Sequence, residues 1–125
     1  MDRVFLDANV LFSAAYRRDA GLRRLWELAD VELLTSAYAL EEARRNLLEP
    51  SQRARLTRLM HAVSIVPERT GQQLPDGVQL PAKDRPILSA ALGSDATHLL
   101  TGDLTHFGRY NGKTIEGVLI LPPAE

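Results

Sequence analysis

Four acids in this chain are spaced for shared chemistry: Asp7, Glu42, Asp84 and Asp103. Asp7 follows the short apolar run Val4-Phe5-Leu6, and Asp103 follows His98-Leu99-Leu100-Thr101-Gly102. A carboxylate just past the C-terminal end of a buried strand lies on the sheet edge where open α/β folds bind ligands. Asp84 opens a helix that carries Pro86, and Glu42 lies one to two turns into a helix that begins after Ser36. Strand C-termini and helix N-termini meet on the same edge of a doubly wound sheet, so all four acids can converge there. Converging carboxylates repel one another and need raised pKa values or cations to compensate. Mg²⁺ and Mn²⁺ are hard cations that take oxygen ligands. A pair of such ions can activate a water and stabilise both oxygens of a phosphoryl displacement.

Each acid also has a plain structural reading. Asp84 could be an N-cap, and Asp103 in Thr-Gly-Asp could be a turn residue. Glu42 could be a solvated face residue, and Glu41 competes for any role given to it; helical phase does not separate the two. Asp7 has the weakest such reading, because Asp is depleted in strands and Asn9 can serve the turn. His61, His98 and His106 show no zinc-ligand spacing and read as surface or core residues. His106, three residues past Asp103, could also sit at the site edge. Other acid-based chemistries fail on details. A haloacid-dehalogenase-type phosphatase wants Asp-x-Asp after strand one, where this chain has Asn9. A phosphoacceptor receiver wants an acceptor Asp after strand three, which here ends in Val66-Pro67. No Gly-rich phosphate loop follows strand one.

The elements that must position these residues alternate between strand and helix. Residues 3–7 predict a strand, followed by a helix from Val10 to Ala15. Asp19-Ala20-Gly21 interrupts or restarts it. Leu22, Leu25, Trp26 and Ala29 then share one helical face. Glu32 to Thr35 is a short strand, and Ser36 is the expected N-cap of a helix to about Leu48. Pro50-Ser51 ends that helix and caps the next, whose stripe is Leu56, Leu59, Met60 and Val63. That stripe could face a core or a second copy of the chain. Ser64-Ile65-Val66 is the third strand, and 67–82 is the most loop-like stretch. Pro86 suits the first turn of a helix that ends at Gly93. His98 to Thr101 is the fourth strand, Asp103 to Arg109 a turn or short helix, and Thr114 to Leu121 a fifth strand, interrupted at Gly117. This alternation predicts an α/β fold with a parallel sheet covered on both faces.

Composition narrows the class further. The 125 residues are 45% hydrophobic and 25% charged, which suits one globular domain. The chain has no cysteine, which excludes disulfides, thiolate metal sites and cysteine nucleophiles. No apolar run approaches the roughly 20 residues of a membrane span. Met1-Asp2-Arg3 leads into the first strand without a signal pattern. The expectation is a cytoplasmic protein with no membrane partner. The net charge of −1 argues against a generic basic nucleic-acid coat. Ten of the fifteen basic residues nevertheless lie in the first half, many as pairs: Arg17-Arg18, Arg23-Arg24 and Arg44-Arg45. These read as solvated helix faces, or as a basic rim suited to a polyanion.

Four segments together resemble a known family. Phe5-Leu6-Asp7-Ala8-Asn9-Val10-Leu11 is similar to the opening motif of PIN-domain nucleases, and Ser36 through Glu42 to their second. Lys83-Asp84-Arg85-Pro86-Ile87-Leu88-Ser89-Ala90-Ala91-Leu92 resembles the third, and Leu99-Leu100-Thr101-Gly102-Asp103 the fourth. The resemblance runs in order across nearly the whole chain. It implies a three-layer α/β/α sandwich around a mostly parallel sheet of about five strands, and a metal-dependent endonuclease acting on RNA with Mg²⁺ or Mn²⁺. Carried over by position, Asp7, Glu42, Asp84 and Asp103 become metal ligands, directly or through water, with Asn9, Ser36 and Thr101 as supporting polar groups. Apart from the resemblance, the paired arginines Arg17, Arg18, Arg44 and Arg45 are candidate contacts to a phosphate backbone. Many small bacterial members are homodimeric toxins of the VapC type, held by an antitoxin, although residues 101–108 look more like a stand-alone branch. The competing readings are a non-cleaving regulator that keeps the fold, and a metal-dependent phosphatase acting on small phosphate esters.

Overall fold

The computed structural model describes residues 1–67, 74–75, 77–103 and 105–123. Its centre is a six-stranded sheet in the order β3-β2-β1-β4-β6-β5. β1 is Asp2–Leu6, β2 Val31–Ser36, β3 Val63–Val66, β4 His98–Leu100, β5 Thr114–Ile115 and β6 Val118–Leu121. All pairings are parallel except β5 with β6. The fifth strand expected from the sequence is thus a hairpin. Glu116 and Gly117 both take positive φ, at 46° and 86°, as a tight two-residue turn demands, so the chain reverses where a single interrupted strand was expected.

β1 lies between β2 and β4 and is covered on both faces. Phe5 and Leu6 are wholly buried, which is why the strand reads as a continuous apolar run rather than an alternating one. β2 and β3 build outward on one side, and β4, β6 and β5 on the other. The direction of winding therefore switches between β1 and β4, and a crevice opens beyond the ends of those two strands.

Among the described residues, four α-helices cover the sheet: α1 (Ala8–Tyr16), α2 (Ala37–Asn46), α3 (Pro50–Met60) and α4 (Arg85–Gly93). Ser36 caps α2 as expected, its Oγ accepting from Ala39 N at 3.1 Å. The cap of α3 is Glu49 rather than Ser51, and Gln52 Oε1 accepts from the Glu49 backbone N–H at 3.2 Å. Pro50 takes the first helical position, where its missing N–H costs little. Leu56 and Leu59 are buried in this chain's own core, with Met60 packed against it, so these three face inward, whereas Val63 lies beyond the helix and opens β3.

The largest departure is at residues 21–29. Gly21–Glu27 form a 3₁₀ helix and Leu28 is already extended. Ala29 is exposed and shares no face with Leu22, Leu25 and Trp26. Leu22 and Leu25 suit a three-residue turn as well as an α-helix, and both pack against the core with Trp26. Trp26 Nε1 donates to Leu59 O at 2.9 Å, satisfying a carbonyl near the end of α3.

Candidate functional site

Strand register builds the site. Leu6 pairs with Leu100 in the parallel ladder, so the next residue of each chain segment, Asp7 and Thr101, lie side by side. Asp7 N donates to Leu100 O at 3.1 Å, and Thr101 N to Leu121 O at 3.1 Å, which extends the ladder one step beyond the strands. Thr101 Oγ1 then donates to Asp7 Oδ2 at 2.7 Å. The same oxygen accepts from Asp103 N at 3.2 Å and from Asn9 Nδ2 at 3.4 Å. One hydroxyl hydrogen and two lone pairs are thereby all used, and Thr101 ties the end of β1 to the end of β4. Asn9 closes the link from the other side: its Oδ1 accepts from Gly102 N at 2.7 Å. Asp7 also caps α1, accepting from Ala8 N at 2.6 Å.

Asp7, Glu42, Asp84 and Asp103 line one cavity of about 500 Å³, together with Asn9, Phe12, Asn46 and Lys83. The acids arrive from four places: the ends of β1 and β4, the interior of α2 and the start of α4. Glu42 is half-buried on this side while Glu41 is exposed and lies 4.0 Å from Arg44 across one helical turn. Asp84 occupies the N-cap position of α4, but its side chain makes no cap hydrogen bond. It is buried, 7% exposed.

Burial pushes the Asp7 carboxyl up from 3.8 to about 6, and the neighbouring Asp84 and Glu42 charges add to that rise, while the Thr101 and Ala8 hydrogen bonds oppose it. Asp84 is likewise raised, first by burial and then by Asp103, against the opposing charge of His106. Tyr38 is raised by burial and by Glu42 and Asp84. Its hydroxyl donates to Lys83 O at 2.8 Å and so anchors the segment that delivers Asp84.

His106 sits within this acidic set. Its Nδ1 lies 2.8 Å from Asp103 Oδ2 and 2.8 Å from Asp84 Oδ2. The contact with Asp103 has hydrogen-bond geometry, whereas Asp84 Oδ2 is buried without a hydrogen-bond partner among the described residues. A ring nitrogen carries one hydrogen, which two carboxylates can at best share as a three-centre bond that is weaker to each. The orphaned, buried Asp84 oxygen and an oxygen-rich donor set both suit a divalent cation. Ligand atoms of Asp84, Asp103 and His106 all lie within 4.8 Å of one another. The i+3 spacing from Asp103 was the sequence signal for His106; Lys83 and Tyr38 had none of their own.

The remaining candidates divide. Asn9 and Thr101 bond directly to Asp7, while Ser36 serves as the cap of α2. None of Arg17, Arg18, Arg44 and Arg45 lines the acidic cavity. Arg17 lines an adjoining one of about 250 Å³, together with Phe12, which borders both, and Tyr16. The Arg18 carbonyl accepts from Arg23 Nη1, and Arg44 faces Glu41.

The structure resembles a chain of the VapBC2 complex from Rickettsia felis, solved bound to a DNA fragment from their promoter. The TM-score is 0.68 at 17% identity, over 96% of this chain and 98% of that one. At that identity the likeness is one of fold. No curated protein matches the chain. The family model described as PIN domain matches residues 3–105, a span that holds β1, β4 and all four acids, and the chain belongs to the PIN-domain family.

Proposed function

We propose that the protein is a divalent-cation-dependent endoribonuclease that hydrolyses RNA phosphodiester bonds at the β1/β4 edge. One observation carries the reading: four carboxylates from four separated elements line one cavity at the switch point of the sheet. An acidic cluster of that kind is costly unless a cation is part of its working state. Asp7 and Asp103 would be the principal ligands, with Glu42 and Asp84 completing the set or orienting the attacking water. The bound Mg²⁺ or Mn²⁺ would supply Lewis-acid stabilisation of the phosphoryl oxygens and lower the pKa of that water. Thr101 and Asn9 hold Asp7 in one rotamer, and Lys83 offers the cavity a positive charge for a phosphate. The cavity that Phe12 shares with Tyr16 and Arg17 gives a strand a route away from the acids.

The test is incubation of a labelled RNA with the protein, with and without Mn²⁺, beside Asp7→Asn. Cleavage that needs both the cation and Asp7 supports the proposal; cation-independent cleavage or none overturns it. A chromogenic phosphate monoester in parallel separates a small-ester phosphatase, and a single-stranded DNA of the same sequence tests sugar preference. RNA binding without cleavage would favour a regulatory role.

A toxin role follows from the same reading. The fold is shared with a chain of the VapBC2 complex, which supports an antitoxin partner; a homodimeric state and a cytoplasmic setting are carried over from the family resemblance alone. Among the described residues no helix is long and apolar enough to cross a membrane. Growth arrest on expression, relieved by co-expressing the product of a small adjacent gene, would support it; unaffected growth with active enzyme would overturn it. Sedimentation analysis reads the dimer directly.

A further inference from the structure

We propose that His106 is itself a ligand of the cation at this site, its Nδ1 joining Asp84 and Asp103 in a mixed nitrogen–oxygen set that favours Mn²⁺ over Mg²⁺. The proposal rests on the cation-dependent reading above but concerns binding, and it is tested without RNA.

The ring is held in place from both sides. His106 N donates to Asp103 Oδ1 at 3.0 Å. Phe107, the next residue, is wholly buried and donates its N–H to Asp103 O at 3.0 Å. The imidazole is thus fixed by the turn that fixes Asp103, and it is only partly exposed. Its Nδ1 is 2.8 Å from each of two carboxylate oxygens, a spacing at which a single hydrogen aimed at Asp103 leaves Asp84 at best a shared bond. Asp84 Oδ2 has no contact of full hydrogen-bond geometry, His106 Nδ1 alone lying near it among the described residues, although the Asp84 side chain is about nine-tenths buried. With the hydrogen on Nε2, Nδ1 turns a lone pair toward the same point as both acids. Three donors then share one cation, and the buried oxygen has a partner.

The chemistry of such a set differs from that of an all-carboxylate one. Mg²⁺ keeps its waters and prefers oxygen in a strict octahedron. First-row transition ions accept imidazole nitrogen more readily. Mn²⁺ is the weakest of that series for nitrogen ligands and shares the Mg²⁺ preference for carboxylates, so a Mn²⁺-over-Mg²⁺ preference that depends on His106 is a strict test. The competing role for His106 is a stand-in cation, displaced when the metal enters.

The experiment is titration of the metal-free protein with Mn²⁺ and, separately, Mg²⁺, by calorimetry, for wild type and His106→Ala. A ligand role predicts at least about a tenfold loss of Mn²⁺ affinity, by analogy with the loss on removing supporting groups of a metal site, and a much smaller change for Mg²⁺. Equal or tighter binding of both ions by the variant overturns it. Pulsed electron paramagnetic resonance of the Mn²⁺-loaded wild type, with ¹⁴N- and ¹⁵N-histidine labelling, keeps the test open if the variant folds poorly. Coupling that switches with the label supports ligation, since His106 is the histidine placed among these acids, and its absence overturns it. RNA cleavage without histidine coupling would sink this inference alone. Histidine-coupled Mn²⁺ without cleavage would sink only the nuclease reading.

Discussion

At the β1/β4 edge, side-chain polar groups bond one another as well as the backbone; along residues 17–28, Arg23 and Trp26 bond backbone carbonyls instead. Thr101, Asn9 and Asp7 form a closed set of bonds one step beyond paired strands, and ladder register dictates their positions. On the flank, Arg23 binds the Arg18 carbonyl and Trp26 the Leu59 carbonyl, while Leu22, Leu25 and Trp26 are only partly buried. Nearby, Arg55 and Gln52 of α3 hold the last carbonyls of α1. Side chains there finish helix ends, whereas those at the edge are left facing a cavity with more negative charge than the chain neutralises. On the proposed function, a substitution at the edge is expected to remove chemistry, and one on the flank to adjust stability or affinity.

The largest expected effect is on cleavage. Asp7→Asn should lower the single-turnover rate by on the order of 10²–10³-fold or more, the loss typical of removing one charge-stabilising group, while a flank change such as Arg24→Ala should leave it within about twofold; equal losses would erase the distinction. Next is stability against pH without metal. Asp7 holds its proton to about pH 6 in the folded protein and to 3.8 in the unfolded chain. The folded state binds more protons across that window, so stability is greatest below it and falls as pH rises, by up to about 3 kcal/mol once pH passes 6. Asp7→Asn lacks this penalty. The melting temperature of the variant relative to wild type should be more favourable at pH 7.5 than at pH 4, and a constant difference would show that Asp7 is not strained by burial.

Cation binding comes third. Mn²⁺ at about 100 times its Kd should stabilise the wild type by about 2.7 kcal/mol, read as a rise in melting temperature that Asp7→Asn largely removes. A smaller contrast lies within α2. Glu42→Gln should cost about tenfold or more in Mn²⁺ affinity, whereas Glu41→Gln should change stability by no more than about 0.5 kcal/mol and leave metal binding alone. The smallest effect belongs to the flank itself: Arg17→Ala should reduce the slope of log RNA affinity against log salt by about 0.7 if it contacts a phosphate, with cleavage of saturating RNA unchanged. An unaltered slope removes Arg17 from the RNA path.

The sequence by itself determined that two apolar strands end in Asp7 and Asp103, that Ser36 starts α2 and that Pro86 starts α4. Those are local facts: burial on both faces makes a continuous apolar run, and a cap or a proline acts within one turn. It could also suggest that the four acids share an edge, because strand and helix ends alternate by rule in such folds. Tertiary structure decided the rest. Glu41 and Glu42 differ by about 100° of helical phase, and only the seating of α2, with Ala39 and Ala43 buried, turns Glu42 to the cavity. Asp84 has the sequence position of a cap, but its backbone is αR rather than extended and its side chain lies beside His106 without a cap hydrogen bond. His106 became part of the site because a turn anchored by Phe107 swings its ring between two carboxylates. Residues 21–29 gave up their helical pattern because packing against the core fixed a tighter turn over Gly21–Glu27. These outcomes depend on contacts between residues far apart in the chain, and of them only the i+3 spacing of His106 from Asp103 left a local trace.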